Sequence, residues 1–269
     1  LKELHLEGLL PVRLCDFETK ELLSVKKERT RGEYCWTCTA HVIRDCLDRF
    51  LLDEVTYLDA DLFFFNDPDP LIEEFNKSGA SVLLTEHRYT PRYDKKESCG
   101  IYCVQYMTFK ADNIGRVALD WWCDRTLEWC FNRIEDGKFG DQKYLDDWKQ
   151  RFVGVHVLQH VGGGVAPWNV QQYRVSAGPM VNKIPVIFYH FHNLEWREDD
   201  CFLLDKYRIS SAALDFIYRP YVSVMREVLK SIRVNRPEFN KGLSPLRLSQ
   251  LNPIKALVDK IKGKSHVIR

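Results

Sequence analysis

No stretch of this sequence reaches the roughly 18 uninterrupted apolar residues from which a membrane-spanning helix is built, so no span is expected within it. The opening stretch, Leu1 to Val12, has no basic n-region, no long apolar run and no small-residue cleavage site, and a secretory signal is not expected there. The first residue is Leu1 rather than Met, which leads us to expect a missing N-terminus. Internal repeats and low-complexity segments are also lacking, which removes repeat architectures. The nine cysteines are an odd set scattered from Cys15 to Cys201, a usage that fits a reduced, cytoplasmic protein better than a disulfide framework. Cys35-Trp-Thr-Cys38 has the spacing of a redox pair, but no apolar strand precedes it and no second pair completes a zinc site. Packing cysteines are the preferred reading there.

What remains is an ordinary globular composition: 269 residues, 45% hydrophobic and 29% charged, enough for one substantial core. The formal net charge of +1 conceals an asymmetry, because the segment from Lys230 onward carries +8 and leaves −7 for the rest. The basic tail reads first as a solvated or partly disordered segment, with an anionic membrane surface or an acidic partner as the sharper alternative, to which Ile254, Leu257, Val258 and Ile261, at helical spacing within Asn252 to Ile261, lend slight support. Nucleic acid is not an expected partner, since no aromatics interleave with these cations.

Strand-like and helix-like runs alternate, which predicts an α/β sheet. Strands are expected at Val55 to Leu58, Ser81 to Glu86, Gly100 to Phe109, Val153 to Leu158 and Pro185 to Phe191. Helices are expected over Ala111 to Ile134, over Asp141 to Trp148, and over Ser210 to Ile232 with an interruption at Pro220. The expected division is a catalytic domain over 1–200 and a C-terminal helical extension with the basic tail over 201–269.

Val55-Thr-Tyr-Leu-Asp59-Ala-Asp61 is an apolar strand ending in two carboxylates separated by one small residue. In an extended chain, residues i and i+2 project to one side, so Asp59 and Asp61 can reach one divalent ion. The alternatives are an ordinary surface loop, or the nucleophile and acid/base pair of a haloacid-dehalogenase-type phosphatase. That phosphatase pattern usually continues with Gly-Thr, whereas Leu62-Phe-Phe-Phe65 follows here. A second constellation is His160-Val-Gly-Gly163-Gly-Val-Ala166-Pro167-Trp168, whose glycines let backbone N–H groups approach a phosphate and whose histidine adds an imidazole ligand. A third is Asp141-Gln142-Lys-Tyr-Leu145. Phe188-Tyr-His190-Phe-His192 places alternate histidines on one strand face, a possible second basic group near phosphates.

In order and approximate spacing, these elements resemble the GT-A glycosyltransferases of family 8, retaining galactosyl- and glucosyltransferases that include bacterial surface-glycan enzymes. Tyr57-Leu-Asp59-Ala-Asp61 resembles that family's metal motif, and Asp141-Gln142-x-x-Leu145 its Asp-Gln-x-x-Leu segment. His160-x-x-Gly163-x-x-Ala166-Pro167-Trp168 is similar to its His-x-x-Gly-x-x-Lys-Pro-Trp in every fixed place but the lysine. Arg44 resembles an arginine ahead of the metal motif. The resemblance spans about Trp36 to Trp168.

It implies a GT-A fold, a mixed central sheet flanked by helices, with Mn²⁺ or Mg²⁺ held by Asp59, Asp61 and His160. It also implies a nucleotide-sugar donor, a UDP-sugar foremost, contacted by Arg44, Asp59, Asp61, Gly163 and Trp168. Gln142 and Asp141 become the catalytic-site residues, the first positioning and the second orienting acceptor or sugar, and the acceptor becomes a glycan or glycolipid. Three departures stand out: Ala166 in place of the lysine, Tyr102-Cys103-Val-Gln105 where the family has Phe-Asn-Ala-Gly, and no recognisable nucleotide-binding strand before Arg13. These departures favour the alternative of a GT-A-like binding module that has lost catalysis.

Overall fold

The computed structural model describes residues 8–204, 207–245 and 267–268. In chain order the helices and strands begin with α1 (Leu14–Phe17), α2 (Lys20–Lys26), α3 (Arg31–Arg49), β1 (Glu54–Leu58), β2 (Leu62–Phe64), α4 (Asp69–Ser78) and β3 (Val82–Glu86). Next come α5 (Lys96–Cys99), β4 (Tyr102–Lys110), α6 (Asn113–Glu128), α7 (Trp148–Arg151) and β5 (Val155–Val157). The short strands β6 (Val175–Ser176), β7 (Met180–Val181), β8 (Ile184–Pro185), β9 (Phe188–His190), β10 (Glu195–Trp196) and β11 (Phe202–Leu203) follow. The chain then runs through α8 (Ser211–Ala213) and α9 (Arg219–Asn235) to β12 (Val267–Ile268). Among the described residues no helix is long and apolar enough to cross a membrane.

The chain forms two compact units that alternate along the sequence. One comprises Leu1–Asp59, Glu74–Glu86 and Lys95–Leu158; the other comprises Ala60–Glu73, His87–Asp94 and Gln159–Arg269. The expected boundary at residue 200 falls inside the second unit, and neither unit is a continuous segment.

The first unit is a mixed sheet in the order β1-β4-β3-β5, with β1 and β3 antiparallel to β4, and β5 parallel to β3. Every residue of β4 from Tyr102 to Phe109 is buried, as a central strand requires. Helices α3 and α6 bury Ile43, Leu47, Leu119 and Trp122 with Val82, Leu84, Phe109 and Trp148. Helix α3 starts in a capping box, in which the Glu33 N–H donates to the Thr30 hydroxyl and the Thr30 N–H donates to the Glu33 carboxylate. Helix α6 is capped by Asp112, which accepts from the Gly115 N–H at 2.8 Å and from the Ser81 hydroxyl at 2.7 Å. A Cβ at Gly115 would stand 2.2 Å from the Lys110 carbonyl oxygen, so only glycine fits there.

The second unit contains the β2–β9 ladder, the β6-β7-β8 and β10-β11-β12 sheets, and α8 and α9. Its core gathers Val165, Val186, Tyr189, Phe191, Phe202, Ile217 and Val222. Phe191 stacks on Tyr221 of α9, with ring centroids 3.8 Å apart.

Three expected elements take different forms. Asp141 to Trp148 is a 3-10 turn over Gln142–Leu145 followed by α7, the Asp146 carboxylate being drawn to the Ile101 N–H at 2.7 Å. Pro185 to Phe191 divides into β8 and β9, because Ile187 donates its N–H to the Gly162 carbonyl instead of a sheet partner. Pro220 does not interrupt a helix. A π-type turn over Leu214–Tyr218 precedes it, and Pro220 sits in the first turn of α9, where its missing N–H costs nothing. The stretch Asn252 to Ile261 lies outside the described residues, as does most of the basic tail.

Candidate functional site

In the second unit the β2–β9 register, Leu62 opposite His190 and Phe63 opposite Tyr189, fixes which residues meet. One residue beyond the ladder the Phe191 N–H donates to the Asp61 carbonyl at 2.9 Å. Alternation within β9 sends Tyr189 into the core and His190 to the other face; Phe191 also enters the core, and His192, in the turn that follows, comes to His190. The result is a cluster of Asp61, His190 and His192, whose ligand atoms all lie within 4.8 Å of one another. His190 Nε2 stands 2.9 Å from Asp61 Oδ1. His190 is buried, and the Asp61 carboxylate is partly open to solvent.

Burial pushes the Asp61 carboxyl up, but the His190 hydrogen bond and the charges of His190 and His192 together outweigh it and hold the carboxyl below its usual value. Asp61 is thus ionised at neutral pH and ready to act as a ligand. One carboxylate and two imidazoles make a donor set that fits a divalent transition ion better than a hard ion such as Ca²⁺.

Of the residues expected at a metal, the structure brings only Asp61 into this cluster. Asp59 belongs to the first unit, and Ala60 and Asp61 form a turn, so the extended alternation on which the pairing rested does not hold across them. His160 is turned to its own loop, its Nδ1 accepting the Gly162 N–H at 3.2 Å. His190 and His192 are the other members of the cluster.

The glycine loop is an internally bonded structure. The Gly163 N–H donates to the His160 carbonyl at 3.1 Å, and the Arg88 guanidinium donates to the carbonyls of His160, Val161 and Gly163 at 3.3, 3.3 and 2.6 Å. A Cβ at Gly162 would lie 2.0 Å from the Pro185 carbonyl oxygen. Ala166 is fully buried and its N–H donates to Asn169 Oδ1. Trp168 is buried against the two histidines of the cluster.

In the first unit Asp59 continues the β1–β4 ladder, its N–H donating to the Gln105 carbonyl at 3.0 Å, and its carboxylate accepts from the Tyr57 hydroxyl at 3.0 Å. Asp141 is buried, and burial followed by the charge of Asp59 pushes its carboxyl up to about 7. Gln142 donates its amide to the Cys99 carbonyl at 2.8 Å. Arg44, on α3, faces Asp120 at 3.4 Å and His41 Nδ1 at 3.3 Å. Cys35 is exposed and Cys38 buried on α3, and no disulfide is found among the described residues.

No protein-family model matches the sequence. The chain is similar to two proteins of Bacillus subtilis. It is 30% identical to the uncharacterized protein YfnD over 256 residues, covering 91% of this chain and 81% of that protein. It is 32% identical to the uncharacterized protein YfnF over 252 residues, covering 89% and 82%. Among solved structures it is similar to mouse xyloside xylosyltransferase 1 in its apo form, at 14% identity and a TM-score of 0.36, over 64% of this chain and 70% of that one.

Proposed function

We propose that this chain, which belongs to the family of the Bacillus subtilis proteins YfnD and YfnF, is a glycosyltransferase that uses a divalent cation and a nucleotide-diphosphate sugar. The observation that carries this reading is the Asp61, His190 and His192 cluster, built where a sequence with the Asp59-Ala-Asp61 motif leaves its first long strand. The remaining support is the sequence resemblance to family 8, which supplies GT-A architecture, retention at the anomeric carbon and a UDP-sugar as the expectations to test.

In this reading Asp61, His190 and His192 would hold Mn²⁺, with Mg²⁺ a weaker fit to two imidazoles. A bound ion supplies neutralisation of the donor diphosphate and of the charge that grows on the departing nucleotide. The chain's own residues do the rest. The orienting role of Asp141 is kept as the resemblance gives it, its buried carboxyl being raised toward neutrality by burial and the charge of Asp59. Gln142 positions rather than titrates, since an amide is too weak a base for proton transfer. Asp59 is kept as a second carboxylate of the metal motif on the strength of the sequence alone.

Arg44, Gly163 and Trp168 are not retained as donor contacts, because the first is engaged by Asp120 and His41, the second donates its N–H within its own loop, and the third is buried. The acceptor is proposed to be a glycan or glycolipid, and the site of action the inner membrane face, reached through the basic tail.

The burial of Ala166 favours a second reading, a nucleotide-sugar-binding module without transfer activity, since a cation cannot be offered to a diphosphate from that position. Thermal denaturation with a panel of nucleoside diphosphates and nucleotide sugars, with and without Mn²⁺, tests both. A midpoint raised by one nucleotide only with Mn²⁺, and not in Asp61→Asn, supports donor binding. Release of the nucleoside diphosphate then separates the transferase from the module. Hydrolysis of a simple phosphomonoester would instead favour the phosphatase reading of Asp59 and Asp61.

A further inference from the structure

The Trp168 indole stands edge-on to both imidazoles of the candidate centre, its centroid 5.2 Å from that of His190 and 5.4 Å from that of His192. The two imidazoles are themselves 5.6 Å apart. At 4% exposure the indole offers no face on which a sugar ring could stack. It is also held firmly. Its Nε1–H donates to the His87 carbonyl at 2.9 Å, and the Thr90 N–H and hydroxyl donate to its own carbonyl at 3.2 and 3.1 Å. The Asn169 amide closes the turn behind it, donating to the His87 and Gly164 carbonyls at 2.9 Å each.

We infer that Trp168 is a positioning residue for the histidines that bind the cation, and that this, not contact with a sugar, is why a tryptophan closes the glycine loop. The inference rests on reading Asp61, His190 and His192 as a cation centre. Burial of Tyr189 and Phe191 on the opposite face fixes the backbone of this segment, the Asp61 carboxylate holds His190 Nε2 at 2.9 Å, and the indole packs against both imidazoles, whose second torsion is by itself broad. An aromatic edge packed against each ring narrows that torsion, so both nitrogens are aimed before an ion arrives. Outer-shell groups that orient metal ligands by hydrogen bonds change affinity by about 10- to 100-fold, and a ring that fixes the same torsion is expected to act at the lower end of that range.

The test is Mn²⁺ titration of the purified chain, with the visible absorption of bound Co²⁺ as a second readout, in wild type, Trp168→Phe, Trp168→Tyr, His190→Ala and Leu47→Ala. Phenylalanine and tyrosine leave a ring but remove the Nε1–H and the wider indole that packs against both histidines. We expect either variant to bind Mn²⁺ at least about tenfold more weakly, with altered Co²⁺ bands and unchanged stoichiometry. Leu47→Ala, a core change in the first unit, lowers stability and leaves Mn²⁺ affinity unchanged. If Trp168→Phe or Trp168→Tyr binds Mn²⁺ like wild type with the same Co²⁺ spectrum while His190→Ala does not bind, the centre stands and the positioning role is overturned. Loss of nucleotide-sugar binding at unchanged Mn²⁺ affinity overturns it as well. If wild type binds no ion, the reading of the centre itself fails.

Discussion

His41 gives the sharpest test of the first unit's packing. It is buried on α3, its Nε2 stands 3.2 Å from the Cys123 carbonyl oxygen, and its Nδ1 stands 3.3 Å from Arg44 Nη2. A carbonyl only accepts and a guanidinium only donates, so the ring is neutral, with its proton on Nε2. Burial and then the Arg44 charge push its pKa down from 6.5 to about 4. The folded pKa lies below the unfolded one, so the unfolded state binds more protons between these values. The contribution is fully present above pH 6.5 and is lost as pH falls toward 4. Between pH 7 and pH 5 the linkage amounts to about 2 kcal/mol.

Asp141 acts in the opposite sense, because its carboxyl is raised from 3.8 to about 7, and it would mask the effect in wild type alone. His41→Gln removes the titration while keeping a donor and an acceptor, and Asp141 cancels in the comparison. The assay is urea unfolding of wild type and variant at pH 7, 6 and 5, followed by tryptophan fluorescence. The stability advantage of wild type over the variant should shrink by about 2 kcal/mol between pH 7 and pH 5. A difference that changes by less than about 0.5 kcal/mol would refute a neutral, buried His41.

Trp122→Ala should cost about 3–5 kcal/mol in the same unfolding assay, since the side chain is fully buried and its indole N–H donates to the Asp141 carbonyl. Thr30→Ala should cost about 1 kcal/mol through loss of the capping box, measured in the same way. Gly162→Ala, whose Cβ would meet the Pro185 carbonyl oxygen at 2.0 Å, should disturb the glycine loop and lower the thermal midpoint. Gly32→Ala, in helix α3 with open space around it, should raise stability by up to about 1 kcal/mol.

The first unit was legible because its strands are apolar and continuous: β1, β3, β4 and β5 fall within a residue or two of the expected runs. The core helix α6 was legible for the same reason, through Ala118 and Trp122 on one face. Sequence reasoning failed where distant segments decide local form. The β2–β9 ladder joins Leu62 to His190, and no local pattern discloses that pairing, so Asp61 could not be matched with the histidines it meets. The alternation His190-Phe191-His192 was visible and read as a basic group near phosphates. Its value as a ligand pair appears only once Phe191 is seen facing the core. His160 was favoured because it opens a glycine-rich motif, but the loop's amides and carbonyls are bonded among themselves and to Arg88. The chain passes between its two compact units several times, and no local pattern in the sequence discloses those crossings.

The most direct test of the account is nucleoside diphosphate release from a panel of nucleotide sugars by the purified chain, with and without Mn²⁺, compared with Asp61→Asn and His190→Gln. The account predicts release of one nucleoside diphosphate that requires Mn²⁺ and falls at least about 100-fold in both variants. Release that is indifferent to Mn²⁺, or that survives both substitutions, would contradict it.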